Sequence, residues 1–155
     1  MNTSNTRQIE VEAVLPHAPE LVWKTLTSGE LMKRWLRMPS TGFAAVVGTK
    51  FTYQTTPAGE WDGIIRCEVP EVVQNERLVY SWKGGHPSIP EGYGAVMDTV
   101  VTFSLSRAAN GTRLRLVHAG FAIPRNERAY ANMSDGWKGV VKTIGELSAE
   151  EEGAQ

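Results

Sequence analysis

Among the residues able to do chemistry, His118 stands out by its spacing. It falls in phase with Leu114 and Leu116, while Arg113 and Arg115 take the alternate phase. That pattern puts an imidazole on the apolar side of a strand end. An imidazole so placed is a polar contact for a ligand, a general acid or base, or a structural histidine satisfied by backbone. Spacing supplies no Asp or Ser partner, so the sequence leaves these readings open. Tyr53, Tyr80 and Trp82 each join an apolar body to one polar atom. In a binding site they supply area and orientation, and in a plain core only volume.

Other chemistries are poorly supported. Cys67 has no histidine near it in sequence and reads as a buried, inert thiol. His17, His86 and His118 are too scattered for metal-ligand spacing, and neither HExxH nor CxxC occurs. There is no phosphate loop, GxGxxG or GxSxG, so neither metal nor cofactor is expected. Glu68 and Glu71 are three apart on a predicted strand and so face opposite ways. Arg66 and Glu68 share a face and read as a solvated pair.

Composition sets the bounds. The chain has 155 residues, with 16 Lys plus Arg against 17 Asp plus Glu, for a net charge of −1. Hydrophobic residues at 41% and charged residues at 21% fit one globular domain rather than a disordered chain. Balanced charge makes a nucleic-acid partner unexpected, since phosphate affinity needs clustered cations. One cysteine excludes an internal disulfide. No window approaches the roughly 18 apolar residues of a membrane span. Residues 1–8 are polar and do not form a signal peptide. A cytoplasmic location is the expectation, with residues 1–7 and 150–155 as flexible tails and Glu150–Glu152 solvated.

Several elements must position these groups. Residues 8–15 alternate as a half-buried strand, with Ile9, Val11, Ala13 and Leu15 on one face. Pro19 suits the first position of a short helix over 19–27. Thr27-Ser28-Gly29-Glu30 has the form of a capping box and predicts a second short helix before Pro39. Strands are predicted at 42–47, 49–55, 63–73, 77–83, 98–106 and 112–118, and Pro70 marks an edge or bulge. Asn110-Gly111 is the strongest hairpin signal. Residues 84–97 hold four glycines and two prolines without periodicity. A loop of that length is characteristically a lid, a binding loop or a mobile segment. A helix over 126–149 carries Met133, Trp137, Val140, Val141, Ile144 and Leu147 at helical spacing. Gly136, Gly139 and Gly145 weaken it by about 1 kcal/mol each relative to Ala, and Ser134-Asp135 marks a place for a kink or restart.

Short turns make the strands antiparallel, and their apolar face needs a cover. Only the last helix, about 36 Å long, can supply it. This order resembles the helix-grip fold of the START-like (SRPBCC) superfamily, in the branch named for the activator of a heat-shock-protein ATPase. The segments that carry the resemblance begin with Pro19–Thr27, Trp35-Leu36 and Trp61-Asp62-Gly63. They continue with Glu76–Trp82, Thr99–Phe103, Gly111–Leu114, His118–Phe121 and Gly136-Trp137. The resemblance implies a single α+β domain with a sheet of about six or seven strands curved around the C-terminal helix. It also implies a cavity between the two.

Three functions fit that expectation. The first is a binder of a small hydrophobic or aromatic molecule. The second is an enzyme of the same fold doing acid–base chemistry, such as a cyclase, dehydratase or hydrolase. The third is an interaction module that stimulates a chaperone ATPase. The aromatic, ion-poor concave face favours the binder. Its expected lining is Trp35, Phe51, Tyr53, Tyr80, Trp82, Val101, Phe103, Leu116, His118, Trp137 and Val141, with the 84–97 loop over the mouth. No catalytic residue is assigned, and a homodimer is left open.

Overall fold

The computed structural model describes residues 6–154. Strand β1 (Thr6–Leu15) leads into helices α1 (Pro19–Thr27) and α2 (Gly29–Leu36). Strands β2 (Ser40–Thr41), β3 (Lys50–Gln54), β4 (Ile64–Glu68), β5 (Glu71–Val73), β6 (Arg77–Gly84), β7 (Met97–Ala108) and β8 (Gly111–Ala122) follow. Helix α3 (Glu127–Gly153) completes the order. The strands form one antiparallel sheet in the order β1-β8-β7-β6-β4-β3-β2, with β5 pairing β6. No helix among the described residues is long and apolar enough to cross a membrane.

The local signals act where their chemistry places them. Pro19 opens α1 at a position whose N–H would lack a helical partner. Ser28 caps α2, its hydroxyl accepting the Leu31 N–H at 3.3 Å. Thr27 instead donates to the Trp23 carbonyl at 2.8 Å, so the cap lies one residue later than a box on Thr27 requires. Asn110, at φ 66°, turns β7 back into β8, and the hairpin closes with Ala108 opposite Gly111. The alternation in β6, β7 and β8 buries Leu78, Tyr80 and Trp82, then Val101, Phe103 and Leu105, then Leu114, Leu116 and His118. Pairing of β1 with β8 sets Ile9 opposite His118 and Val11 opposite Leu116.

Four expectations fail locally. Residues 42–47 do not form a strand. The pairing there is Ser40 with Tyr53 and Thr41 with Thr52. Gly42, at φ 85°, turns the chain out of the sheet immediately afterwards and leaves Val46 and Val47 about 60% exposed. The expected strand at 63–73 divides into β4 and β5 around Val69-Pro70, since proline offers no N–H to a ladder. Arg66 pairs with Asp62 at 3.0 Å rather than with Glu68. Asp62 is held for that contact by accepting the Ile64 N–H. This hydrogen bond first, and Arg66 second, lower its pKa. Helix α3 runs unbroken through Ser134, whose hydroxyl donates to the Tyr130 carbonyl at 2.7 Å instead of capping a restart.

A fifth correction concerns the tails. Thr6 and Arg7 belong to β1, and residues 1–5 and 155 lie outside the described residues. Glu150–Glu152 lie in the last turn of α3 and reach three separate basic side chains. Glu150 meets Arg34 at 3.0 Å, Glu151 meets Lys24 at 3.2 Å, and Glu152 meets the His17 Nδ1 at 2.7 Å. These pairs fasten the end of α3 to α1, α2 and the β1–α1 turn. The Arg34 and Lys24 pairs are partly to largely solvent-exposed, so each contributes less than about 1 kcal/mol. The triple variant Glu150→Gln, Glu151→Gln, Glu152→Gln should lower the melting temperature by a few degrees in low salt. High salt should erase most of the difference from the parent protein in parallel thermal melts.

Candidate functional site

The centre of the sheet–helix space is filled by the protein's own aromatic side chains. Trp35, Phe51, Tyr53, Tyr80, Trp82, Phe103 and Trp137 are all buried. Phe51 meets Tyr80 edge-on with ring centres 5.2 Å apart, Tyr53 meets Trp82 at 5.3 Å, and Trp35 meets Phe103 at 5.6 Å. The Tyr53 hydroxyl lies 3.1 Å from the Met32 sulfur and 3.4 Å from the Tyr80 hydroxyl. Burial raises the pKa of both phenols well above their ordinary value, so both stay protonated. Burial likewise pushes up the Cys67 thiol, which suits its inert reading.

His118 sits in this filled centre with both ring nitrogens engaged. The Trp137 indole N–H donates to Nδ1 at 2.9 Å. Nδ1 is therefore unprotonated and Nε2 carries the hydrogen, donating to the Thr99 hydroxyl at 2.7 Å. Thr99 passes its own hydrogen to the Trp82 carbonyl at 2.8 Å. The chain of donors crosses from α3 to β8, β7 and β6 and leaves no polar atom over. Desolvation lowers the His118 pKa to about 3, so the ring is neutral near neutral pH.

Space opens at one end of the helix rather than under its middle. A hollow of about 200 Å³ lies beneath the loop that joins β6 to β7, between Trp61, Ile65 and Trp82 on the sheet side and Ala129, Asn132 and Met133 on α3. Gly84, Gly85, Gly92, Tyr93, Gly94, Ala95 and Met97 form its roof, and Met38 and Thr55 complete the wall. Among these described residues none is Asp, Glu, His, Cys, Lys or Arg. A second hollow, an open groove of about 410 Å³, runs between the end of α2 and the outer side of α3. Broader depressions near His17 and Glu127 are shallow and polar.

The roof is pinned rather than loose. Tyr93 donates to the Thr56 carbonyl at 2.6 Å, and its ring lies 5.6 Å from that of Trp61. Asn126, fully buried, accepts the Ala122 N–H and donates to the Val96 carbonyl at 2.9 Å, tying the loop to the start of α3. Gly94 has φ 91°, and a Cβ there would come within 2.7 Å of the Ile89 side chain, so the turn requires glycine.

Of the expected lining residues, Trp82 borders both hollows, and Trp35 and Trp137 border the groove. Phe51, Tyr53, Tyr80, Val101, Phe103, Leu116, His118 and Val141 are packed in the centre and border neither. Met38, Trp61, Ile65, Ala129, Asn132 and Met133 were not foreseen. Tyr93 and its neighbours came only through the loop's length and glycine content. Among the described residues no three His, Cys, Asp or Glu side chains gather to hold a metal ion.

A curved antiparallel sheet gripping one long C-terminal helix, with the hollow between them, defines a START-like domain. The chain belongs to the family described as Activator of Hsp90 ATPase homolog 1-like protein, whose profile matches residues 16–149. It is similar to protein MLL2253 from Mesorhizobium loti, at 32% identity over 93% of this chain and 98% of that one, with a TM-score of 0.78. It shares its fold with the Aha1 dimer from Colwellia psychrerythraea, at 19% identity over 90% and 94% of the chains, with a TM-score of 0.66. It also shares it with DynU16, a protein of the dynemicin biosynthetic locus, at 18% identity and a TM-score of 0.66. That match covers 90% of this chain and 46% of the other. No curated protein matches the chain significantly.

The buried histidine gives a pH dependence of known sign. Its folded pKa lies below the unfolded value of 6.5, so the unfolded chain takes up the proton first. Stability is full above 6.5 and falls by up to about 1.4 kcal/mol per pH unit as the pH drops toward 3. His118→Ala should remove this part of the acid slope and cost roughly 2–4 kcal/mol near neutral pH, because Trp137 and Thr99 lose their partner. Urea unfolding across the acid range for both proteins measures the two effects together.

Proposed function

We propose that the protein binds a small apolar or aromatic molecule in the hollow beneath the β6–β7 loop. The supporting observation is a mostly apolar, partly covered hollow beneath a pinned roof. Trp61, Trp82 and Tyr93 offer ring faces, and Met38, Met97 and Met133 offer adaptable thioethers. Burying a ligand's apolar area there supplies the affinity. Thr55 and Asn132 provide polar atoms at the rim that orient a hydroxyl or carbonyl. A dry cavity of about 150 Å³ already accommodates benzene in another protein. A hollow of about 200 Å³ therefore suits one substituted ring or a short branched chain.

The lining favours binding over catalysis as the role of this hollow. Acid–base chemistry needs a titratable group beside the reacting atoms. His118, the candidate for that work, is held by Trp137 and Thr99 in the filled centre. The DynU16 neighbour, from a biosynthetic locus, supports a small-molecule role for a domain of this shape. The loop covers the hollow, with Gly85 and Gly94 at its turns.

Toluene and phenol are suitable first probes. Either should give saturable heat in titration calorimetry and raise the melting temperature, by an amount that grows with ligand concentration. Ala129→Phe, which fills the hollow from α3, should abolish both effects while the far-ultraviolet circular dichroism stays unchanged. Failure of every single-ring probe to bind the parent protein would overturn the reading.

A further inference from the structure

The two hollows share three walls. Met38, Trp82 and Met133 border both the space beneath the loop and the groove between α2 and α3. Trp82 is fixed by ring contacts to Tyr53, His118 and Trp137. Met38 and Met133 are only partly buried, and an unbranched thioether turns at little cost. The partition between the hollows is thus two movable side chains beside one fixed ring.

The groove has an unusual floor. Gly136 and Gly139 border it, and a Cβ on either would meet no atom within 4 Å. Gly145 on the same helix differs, because a Cβ there would press on Leu15 at 3.1 Å. Packing therefore accounts for Gly145 and leaves the other two, each unfavourable in a helix, without a partner inside the protein. At the groove's mouth stands Arg37, the cap of α2, at φ 60°. Glycine is the usual residue in that conformation. The preceding cation, Arg34, is paired with Glu150, whereas Arg37 has no ion-pair partner among the described residues. Asp135 also borders the groove, with Lys138 3.9 Å from its carboxylate.

We propose that the hollow and the groove are two compartments of one site, joined when Met38 and Met133 swing aside, and that its ligand is an elongated acid. The ligand's ring-sized apolar end lies beneath the loop. Its chain passes Trp82 and runs over Gly136 and Gly139, where the missing side chains let it approach the helix backbone. Its carboxylate ends at Arg37. The proposal rests on the binding role assigned to the loop hollow and extends it to the shape and charge of the ligand.

Titration calorimetry with toluene, phenyloctanol and phenyloctanoic acid separates the claims. The acid should bind the parent protein at least about tenfold more tightly than toluene, since each buried methylene contributes. The alcohol should fall several-fold below the acid, and Arg37→Gln should bring the acid down to the alcohol. Gly139→Leu should raise the melting temperature through helix propensity yet cancel the gain from the chain, leaving toluene binding unchanged. Toluene binding with no gain from the chain, or acid binding untouched by Gly139→Leu, would overturn the joined site and leave the loop hollow standing. Equal affinities for acid and alcohol would overturn the acidic head group. If toluene itself does not bind, the earlier reading fails and this one falls with it.

Discussion

The structure depends on a short run of hydrogen bonds through its driest region, from the Trp137 indole to His118, on to Thr99, and to the Trp82 carbonyl. Each group has one role left once its neighbour's is set, so the imidazole is confined to one tautomer. The run begins on the helix and ends three strands away, fixing how far α3 can slide or roll over the sheet. It also anchors the backbone of Trp82, whose ring packs on both His118 and Trp137. A buried polar chain of this kind is stabilising only when every member is satisfied, and among the described residues no buried side-chain polar atom lacks a partner.

That fixed centre governs where space remains. Around it the helix has two unlike halves. Its C-terminal end is tied by two charge pairs to the helical hairpin and by the Glu152–His17 contact to the β1–α1 turn. Its N-terminal half faces methionines, glycines and a roofed loop. Cross-element charge contacts gather at one end of the helix and open space at the other.

Much of the architecture was legible in the sequence, for physical reasons that can be named. Period-two alternation survives wherever one strand face is buried, as in Leu78, Tyr80 and Trp82, and the Asn110-Gly111 turn has few alternatives. Short-range signals failed where distant partners decide. Glu150–Glu152 read as a solvated tail because Arg34, Lys24 and His17 are more than a hundred residues away. His118 offered no partner by spacing because Thr99 and Trp137, each nineteen residues off, meet it only across the fold. The expected lining was drawn from strand phase, which reports that Tyr53, Tyr80 and Phe103 point inward. It does not report whether another side chain already fills the space they point into. Gaps form between elements, so Met38, Trp61 and Met133 could not be read from any one of them.

The pairing of β1 with β8 has a consequence for how the chain is made. Ile9 meets His118 and Leu15 meets Thr112, across almost the whole intervening sequence. During synthesis the first strand leaves the ribosome with no mate and waits until the final hairpin has emerged. Closing so long a loop comes late and costs entropy, which slows the last step of sheet assembly. Until then its apolar side, Ile9, Val11 and Leu15, is open to any passing strand edge. Newborn copies are thus vulnerable for the time that synthesis needs to pass from β1 to β8.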